Sequence, residues 1–584
     1  MTDESASAKM ALEKMALEKQ KELTFTAVVL GVLLAVVFGA ANAYLGLRVG
    51  LTVSASVPAA VISMGVLRFI LRRDSILENN MVQTIGSAGE SLAAGAIFTM
   101  PALYLWAQEG VCETPGLLPL TLIALAGGLL GVLIMVPLRR PLIVEEEQTL
   151  VYPEGRACAD VLRAGEAGAR HAGIVFLGLC AAALLKFVSG GLKWIPEAFL
   201  WPIKGLRGAL GFEVSPALLG VGYVVGPKIA TLLFAGAFLG WMVLIPVFSL
   251  TVPEMATLWE NEGVKAVWKT SVRYVGAGAI AMGGFLSLVK SAPLFVRTFT
   301  ARRQPMAAGT SATDDPRDRD LPLQLVLGIL IFTIVFIWAV PAIPVGFTGA
   351  LLIALFGFFF AAVSARMVGL VGSSNNPISG MTIATLVVTS LVLKATGTAG
   401  AAGMVAAIAI GSVVCIVAAI AGDTAQDLKT GRLLGATPWK QQIGEFIGTI
   451  ASAAVIGVVL VLLHKAWGFG SDAISAPQAT LMKVVVEGIM GGSLPWNYLA
   501  LGAGLAVVLA VCRVPVMPFA IGIYLPIGLN ATIFAGGLLR WRVDRTRGPR
   551  AEGEDAGTLL SAGLIAGEGL CGILLAVLAL VCGS

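Results

Sequence analysis

The sequence predicts an all-α polytopic membrane protein of about 16 (14–16) transmembrane helices, in two tandem-duplicated halves with broken or re-entrant helices. Three observations predict it: an apolar composition, apolar runs of spanning length, and an internal repeat. Of the 584 residues, 57% are Ala, Val, Ile, Leu, Met, Phe, Trp, Tyr or Cys, another 70 are glycine, and only 13% are charged. Soluble domains carry about 25% charged residues. The mean hydropathy is +0.88. Folded chains of this size leave much of their surface outside, so lipid is the solvent for a large share of this one.

The composition also excludes several classes. Apolar runs of roughly 20 residues match a spanning helix rather than the alternating ten-residue strands of an outer-membrane barrel. The net charge of +5 is small and its basic residues flank apolar runs, so nucleic acid is not an expected partner. Seven scattered cysteines form no CxxC pair, and His171 and His464 lie far apart, so no metal site is expected. No GxxxxGK[ST] loop is present to bind a nucleotide. Without a nucleophile–base pair at recognisable spacing, no catalytic residues are assigned and an enzyme is not expected.

Residues 1–22 alternate lysine and glutamate and read as a cytoplasmic N-terminal helix or tail. The run from Leu23 to about Leu47 is too long for a secretory h-region and has no clear cleavage site behind it. It is a first spanning helix, with the N-terminus cytoplasmic. Further runs at about 51–71, 82–107, 117–137, 173–189, 214–226, 228–250 and 271–291 complete an N-terminal transmembrane half, residues 23–296. Residues 297–321, with Arg302-Arg303-Gln304-Pro305 and Asp314-Asp315-Pro316, form a cytoplasmic linker. The C-terminal half, 322–584, carries runs at about 322–340, 346–365, 376–395, 400–421, 442–464, 495–513, 515–540 and 557–582. A short re-entrant piece is expected at 480–493. Arginine and lysine place 68–80, 138–170, 296–320 and 422–441 in the cytoplasm, while 108–116, with Glu109 and Glu113, suits the outside. The arginine-rich 541–555 conflicts with eight crossings per half; either the count differs there or the charge rule fails.

The two halves resemble one another. Val49-Gly50-Leu51, Ser54 and Pro58 match Val368-Gly369-Leu370, Ser373 and Pro377. Pro216 and Gly220 match Pro518 and Gly522. Phe234-Ala235-Gly236, Leu239 and Trp241 match Phe534-Ala535-Gly536, Leu539 and Trp541. Ala277-Gly278, Ile280-Ala281 and Gly284 match Ala562-Gly563, Ile565-Ala566 and Gly569. The order is kept while the offset falls from 319 to 285, as insertions and deletions in loops produce. Repeats of this kind are a recurring build of secondary transporters, with the site between the repeats.

Polar residues inside apolar runs mark the candidate site. Gln83, Ser87 and Glu90 share a helical face, and a carboxylate at membrane depth faces a water-filled cavity or a partner. They read as a substrate or proton site, or as a helix-start cap near the interface. Ser373, Ser374, Asn375 and Asn376 precede Pro377 and Ser379 at a helix start whose N–H groups suit a substrate carboxylate; the alternative is an ordinary cap at membrane entry. Pro216–Pro227 and Pro515–Gly528 break apolar runs at corresponding places, with Tyr223 and Tyr524 offering hydroxyls to a cavity, although Gly and Pro are frequent in membrane helices. Glu568, in the last run, is a second intramembrane carboxylate, for proton coupling or for pairing with an unidentified basic residue. Asp423 and Asp427 read as members of a cytoplasmic loop or, equally, as structural salt-bridge partners, and Glu445 and Glu487 as near run edges.

Several stretches resemble the oligopeptide transporter (OPT) family, in its prokaryotic branch near the yellow stripe-like metal-chelate transporters. They are NAYLGLRVGLTVSASVPAAVISM (Asn42–Met64), ENNMVQTIGSAGESLAAGAIFTMPAL (Glu78–Leu103) and SPALLGVGYVVGP (Ser215–Pro227). To these add VGSSNNPISGMTIATL (Val371–Leu386), AGDTAQDLKTGRLLGATPWKQQ (Ala421–Gln442) and APQATLMKVVVEGIMGG (Ala476–Gly492). The resemblance runs from about residue 22 to the end. It implies about 16 helices in two related halves and a proton-coupled importer of small peptides or metal–chelate complexes. The expectation is a secondary active symporter in the plasma or inner membrane, working by alternating access. Glu90 and Glu568 would couple protons, with the proton gradient as energy source and no cofactor. Its partners are a small-molecule substrate and membrane lipids, with a homo-oligomer open. The alternative is a passive channel or facilitator for small polar solutes.

Overall fold

The computed structural model describes residues 21–50, 54–73, 75–148, 150–163, 168–203, 205–283, 318–373, 376–491, 495–547 and 556–582, with Thr52 and Leu286. Most of the linker, Ser374 and Asn375 lie outside the described residues. The chain is helical apart from one antiparallel hairpin. Among the described residues eight helices are long and apolar enough to cross a membrane, and shorter apolar helices accompany them. It is a multi-pass membrane protein by that measure.

Local sequence sets the helix ends. The Thr24 hydroxyl accepts from the Ala27 N–H (3.1 Å) to open Phe25–Val49, and Gly50 closes it in the left-handed region, φ 76°. Ser75 opens Ile76–Ile97 the same way, and Ser215 with Pro216 opens Pro216–Leu239. Both expected breaks are present. Gly226 has φ 82° and ψ 170°, a conformation only glycine adopts without strain, and Pro227 follows it. In the second half Val516–Tyr524 stops at an extended Leu525, and a new helix starts at Ile527.

Gly400–Leu434 is the central helix; 94% of its apolar window is buried within the protein. In lipid, no hydrophobic force drives helix against helix, so close approach through small residues does the packing. A Cβ on Gly95 or Gly127 would press into Ile416, and one on Gly131 into Ile420. Gly89 lies under Ala35 where Ile76–Ile97 crosses Phe25–Val49, and Gly448 lies under the Ile85 carbonyl.

Two helix pairs make the same contact. Gly178, in Gly168–Lys186, meets the Leu560 carbonyl, and Gly563 in return meets that of Val175. Gly502, in Trp496–Val511, meets the Val275 carbonyl, and Gly278 that of Leu499. A third exchange joins Pro216–Leu239 to the 516–547 region: Gly222 meets the Ile533 carbonyl, Gly536 that of Leu219, Gly236 that of Phe519 and Gly522 that of Leu233.

Two sequence expectations change. Residues 422–441 are not a loop: the central helix continues to Leu434 and the next begins at Pro438, leaving Gly435 in the left-handed region between them. Their charges are absorbed by neighbours; Lys429 and Arg432 both bind Glu147 (2.8 and 3.2 Å). Residues 68–80 are helical from Ile76, with Glu78 and Asn79 already buried. The 480–493 piece is a 14-residue helix, Pro477–Met490, roughly 21 Å long at 1.5 Å per residue and too short to cross. The hairpin Ala198–Ile203 with Gly208–Glu213 has no counterpart in the sequence expectations. It pairs Ala198 with Glu213 and is pinned by Thr532, whose hydroxyl donates to the Glu213 carbonyl (2.6 Å). At the linker's end Asp318 and Asp320 grip the buried Arg139. At the tail's end Glu22 accepts from Thr437 and Lys440.

Candidate functional site

Ile76–Ile97 carries Gln83, Ser87 and Glu90 into the bundle, all three buried. The Gln83 amide donates to Asp427 Oδ1 (2.6 Å), and the Ser87 hydroxyl lies 2.9 Å from both Asp423 oxygens. Ser56 and Ser87 hydroxyls also meet, at 2.8 Å. Asp423 and Asp427 stand one turn apart on the central helix, and Glu445 reaches the same spot from Pro438–Trp467. One oxygen from each of the three carboxylates lies within 4.8 Å of the others. Gln441, beside them, donates to Thr84 and to the Asp427 carbonyl (both 3.1 Å). Glu90 is hydrogen-bonded elsewhere. It accepts from the Asn42 amide and from the Ala55 N–H (3.4 Å), and among the described residues it has no salt bridge.

The helix start near residue 376 meets the same central helix. The Asn376 amide donates to Ser364 Oγ (2.7 Å), and Ser364 donates to the Ala418 carbonyl (2.5 Å). A Cβ on Gly422, next to Asp423, would touch both Ser364 and Asn376. The Ser373 carbonyl accepts from the Asn376 N–H (3.1 Å), and Ser379 lies half-buried in the first turn of Ile378–Ala395. The two polar stretches expected from sequence thus converge across Gly400–Leu434.

Glu568 stands in a separate buried cluster. It accepts from Ser215 Oγ and from the Ala217 N–H (2.8 Å each), at the start of Pro216–Leu239, and from Arg48 (3.0 Å). Arg48 is the basic residue the sequence did not identify. Its other terminal nitrogen meets Glu213 of the hairpin at 2.7 Å. Arg48, Glu213, Tyr44, Lys186 and Trp467 line a cavity of about 240 Å³.

Tyr524 lines a larger cavity, about 920 Å³, with Arg273, Lys483, Glu109, Glu487 and, again, Trp467. The Tyr524 hydroxyl accepts from Arg273 (2.7 Å) and lies 2.9 Å from Thr480 Oγ1. Ser475 joins the two cavities: its hydroxyl donates to the Arg48 carbonyl, and its own carbonyl accepts from Arg273. Tyr223 is elsewhere, under the Arg540 guanidinium (5.2 Å to the ring centroid) and against Gly557.

Sequence reasoning missed Arg48, Glu213, Arg273 and the grouping of Asp423, Asp427 and Glu445. Only Glu445 carried a signal, a carboxylate just inside an apolar run.

Spanning helices closed around buried carboxylates, with solute-sized cavities between them, are the build of a membrane transporter. The chain belongs to the OPT family: the model of the OPT oligopeptide transporter protein matches residues 22–579. A Haemophilus influenzae protein named for oligopeptide transport is 37% identical, covering 91% of this chain and 92% of its own. Metal-nicotianamine transporter YSL2 of Arabidopsis thaliana is 24% identical over 83% of this chain and 80% of its own. Iron-phytosiderophore transporter YSL15 of Oryza sativa is 22% identical over 83% and 79%. These relatives are transporters, not enzymes.

Proposed function

We propose that the chain is a proton-coupled symporter of small oligopeptides or metal–chelate complexes, working by alternating access in the plasma or inner membrane with its N-terminus cytoplasmic. Oligopeptides and metal chelates are what the names of its relatives specify. The observation that carries proton coupling is Glu90. This carboxylate is 5% exposed and held by neutral donors with no salt bridge among the described residues, which suits a group that gains and loses a proton. Glu568 is the second carrier, with Arg48 as the counter-charge that protonation would release. Two related halves of about eight crossings each would rock around the cavities. The reciprocal glycine contacts, which repeat between residues 175–278 and 499–563, support that division.

The substrate would lie in the larger cavity, whose mix of Arg273, Lys483, Glu109 and Glu487 suits a zwitterion or an anionic chelate. Tyr524 would contribute a polar contact. Uptake into proteoliposomes tests this reading, with short peptides and iron chelates and with or without an inward proton gradient. Accumulation above equilibrium that an uncoupler collapses is expected. Uptake that only equilibrates, whatever the gradient, would overturn the symport reading in favour of a facilitator.

A further inference from the structure

We propose that Asp423, Asp427, Glu445 and Gln83 form a binding site for one hard divalent cation of calcium size inside the bundle. One oxygen from each carboxylate lies within 4.8 Å of the others. An ion of calcium size, with its oxygens at about 2.4 Å, can therefore touch all three at once. Every side-chain donor in the group is oxygen, which selects a hard cation over a thiolate-seeking one.

The second observation is a set of buried acceptors with nothing to accept. Gln83 donates through its nitrogen to Asp427, which fixes the amide at the cluster, yet its Oε1 has no hydrogen-bond partner. Asp427 Oδ2 shares that condition, while Glu445 lies against Thr424 and Asp427. All these residues are at least 99% buried. A basic residue would settle such a group, but Lys429, the nearest in sequence, binds Glu147 instead, and no salt bridge reaches the three carboxylates among the described residues. Protons alone would neutralise the carboxylates one at a time. One divalent cation offsets two of the three charges and meets the orphaned oxygens at once, leaving a single carboxyl to hold a proton.

The three helices that supply the ligands are also the ones that cross at the bundle centre. A bound cation therefore fixes their mutual packing. The site goes beyond the transport reading and does not depend on it: a chain that moves substrate but ignores Ca²⁺ overturns this inference alone.

The test is equilibrium binding of radiolabelled Ca²⁺ to the purified full chain in detergent, alongside its thermal unfolding. Expected is saturable binding of about one ion per chain, a raised unfolding midpoint, and at least tenfold weaker binding in Asp427→Asn and Glu445→Gln. Gln83→Leu should bind less tightly as well, while Glu113→Gln, in an exposed loop, should bind as the parent does. Absence of saturable binding and of stabilisation in the unaltered chain overturns the site, and that arm needs no variant to fold. So does binding that survives both carboxylate substitutions, or saturable Na⁺ binding that excludes Ca²⁺.

Discussion

Phe234 stacks on Phe534, ring centroids 4.8 Å apart and planes 12° from parallel. Each residue opens a Phe-Ala-Gly tripeptide, so the two segments matched in the sequence meet face to face. Gly236 and Gly536, two places on, each face a carbonyl of the opposite helix, Phe519 and Leu219. If the two portions are duplicates, an axis of two-fold pseudosymmetry between the helices would demand such self-pairing. The expected outcome is equivalence: Gly236→Ala and Gly536→Ala should destabilise the fold by similar amounts, about 1–3 kcal/mol each as overpacking substitutions. Thermal unfolding in detergent reads this; a large effect at one position and none at the other would argue against the axis.

Glu90→Gln keeps the shape and an acceptor for Asn42 but cannot carry a proton. Gradient-driven accumulation should disappear while exchange of substrate across a membrane at equal pH persists. Full concentrative uptake by this variant would remove Glu90 from the coupling mechanism.

Arg48 is buried between Glu213 and Glu568. Arg48→Met leaves two carboxylates without a counter-charge and should cost about 3–5 kcal/mol of stability. Adding Glu568→Gln should return part of that loss. A double-mutant cycle on unfolding free energies checks it, and additive losses would contradict the pairing.

The Tyr524 hydroxyl is held between Arg273 and Thr480 at the wall of the larger cavity. Tyr524→Phe should weaken substrate binding several-fold, and Arg273→Ala at least tenfold, since a charge in a water-poor site is the stronger contact. Both should appear in KM for uptake more than in maximal rate. Unchanged KM in both variants would move the substrate out of this cavity.

The Asp318 and Asp320 grip on Arg139 ties the linker's end to the Leu117–Arg139 helix. Arg139→Ala should lower the unfolding midpoint and expose the segment around residue 320 to protease. Cleavage no faster than in the parent chain would contradict that anchoring.

How much of this was legible depended on local contrast. The lipid environment followed from composition, and the Gln83–Glu90 stretch stood out because polar residues interrupted an apolar run. The helix breaks at Gly226 and Leu525 were legible because proline and glycine constrain backbone directly. Asp423 and Asp427 were misread because Lys429 and Arg432 follow them, and dense charge beside an apolar run imitates a loop. What makes them a site is Glu445 on the next helix and Gln83 some 340 residues earlier in the chain, which no local pattern encodes. Arg48 hid for the converse reason: its partners, Glu213 and Glu568, come from a hairpin and a distant helix.

The glycine pairs have a last consequence. Gly178, from before the linker, packs against Leu560 and Gly563 of Ala556–Cys582, and Gly502, from after it, packs against Val275 and Ala279, which precede the linker. Each portion covers part of the other's surface. Severed at the linker, each fragment would present a grooved helix to lipid and fail alone, while the two produced together in one cell would reassemble by complementation. Unity of the molecule rests on that cross-bracing rather than on the peptide bond between its portions.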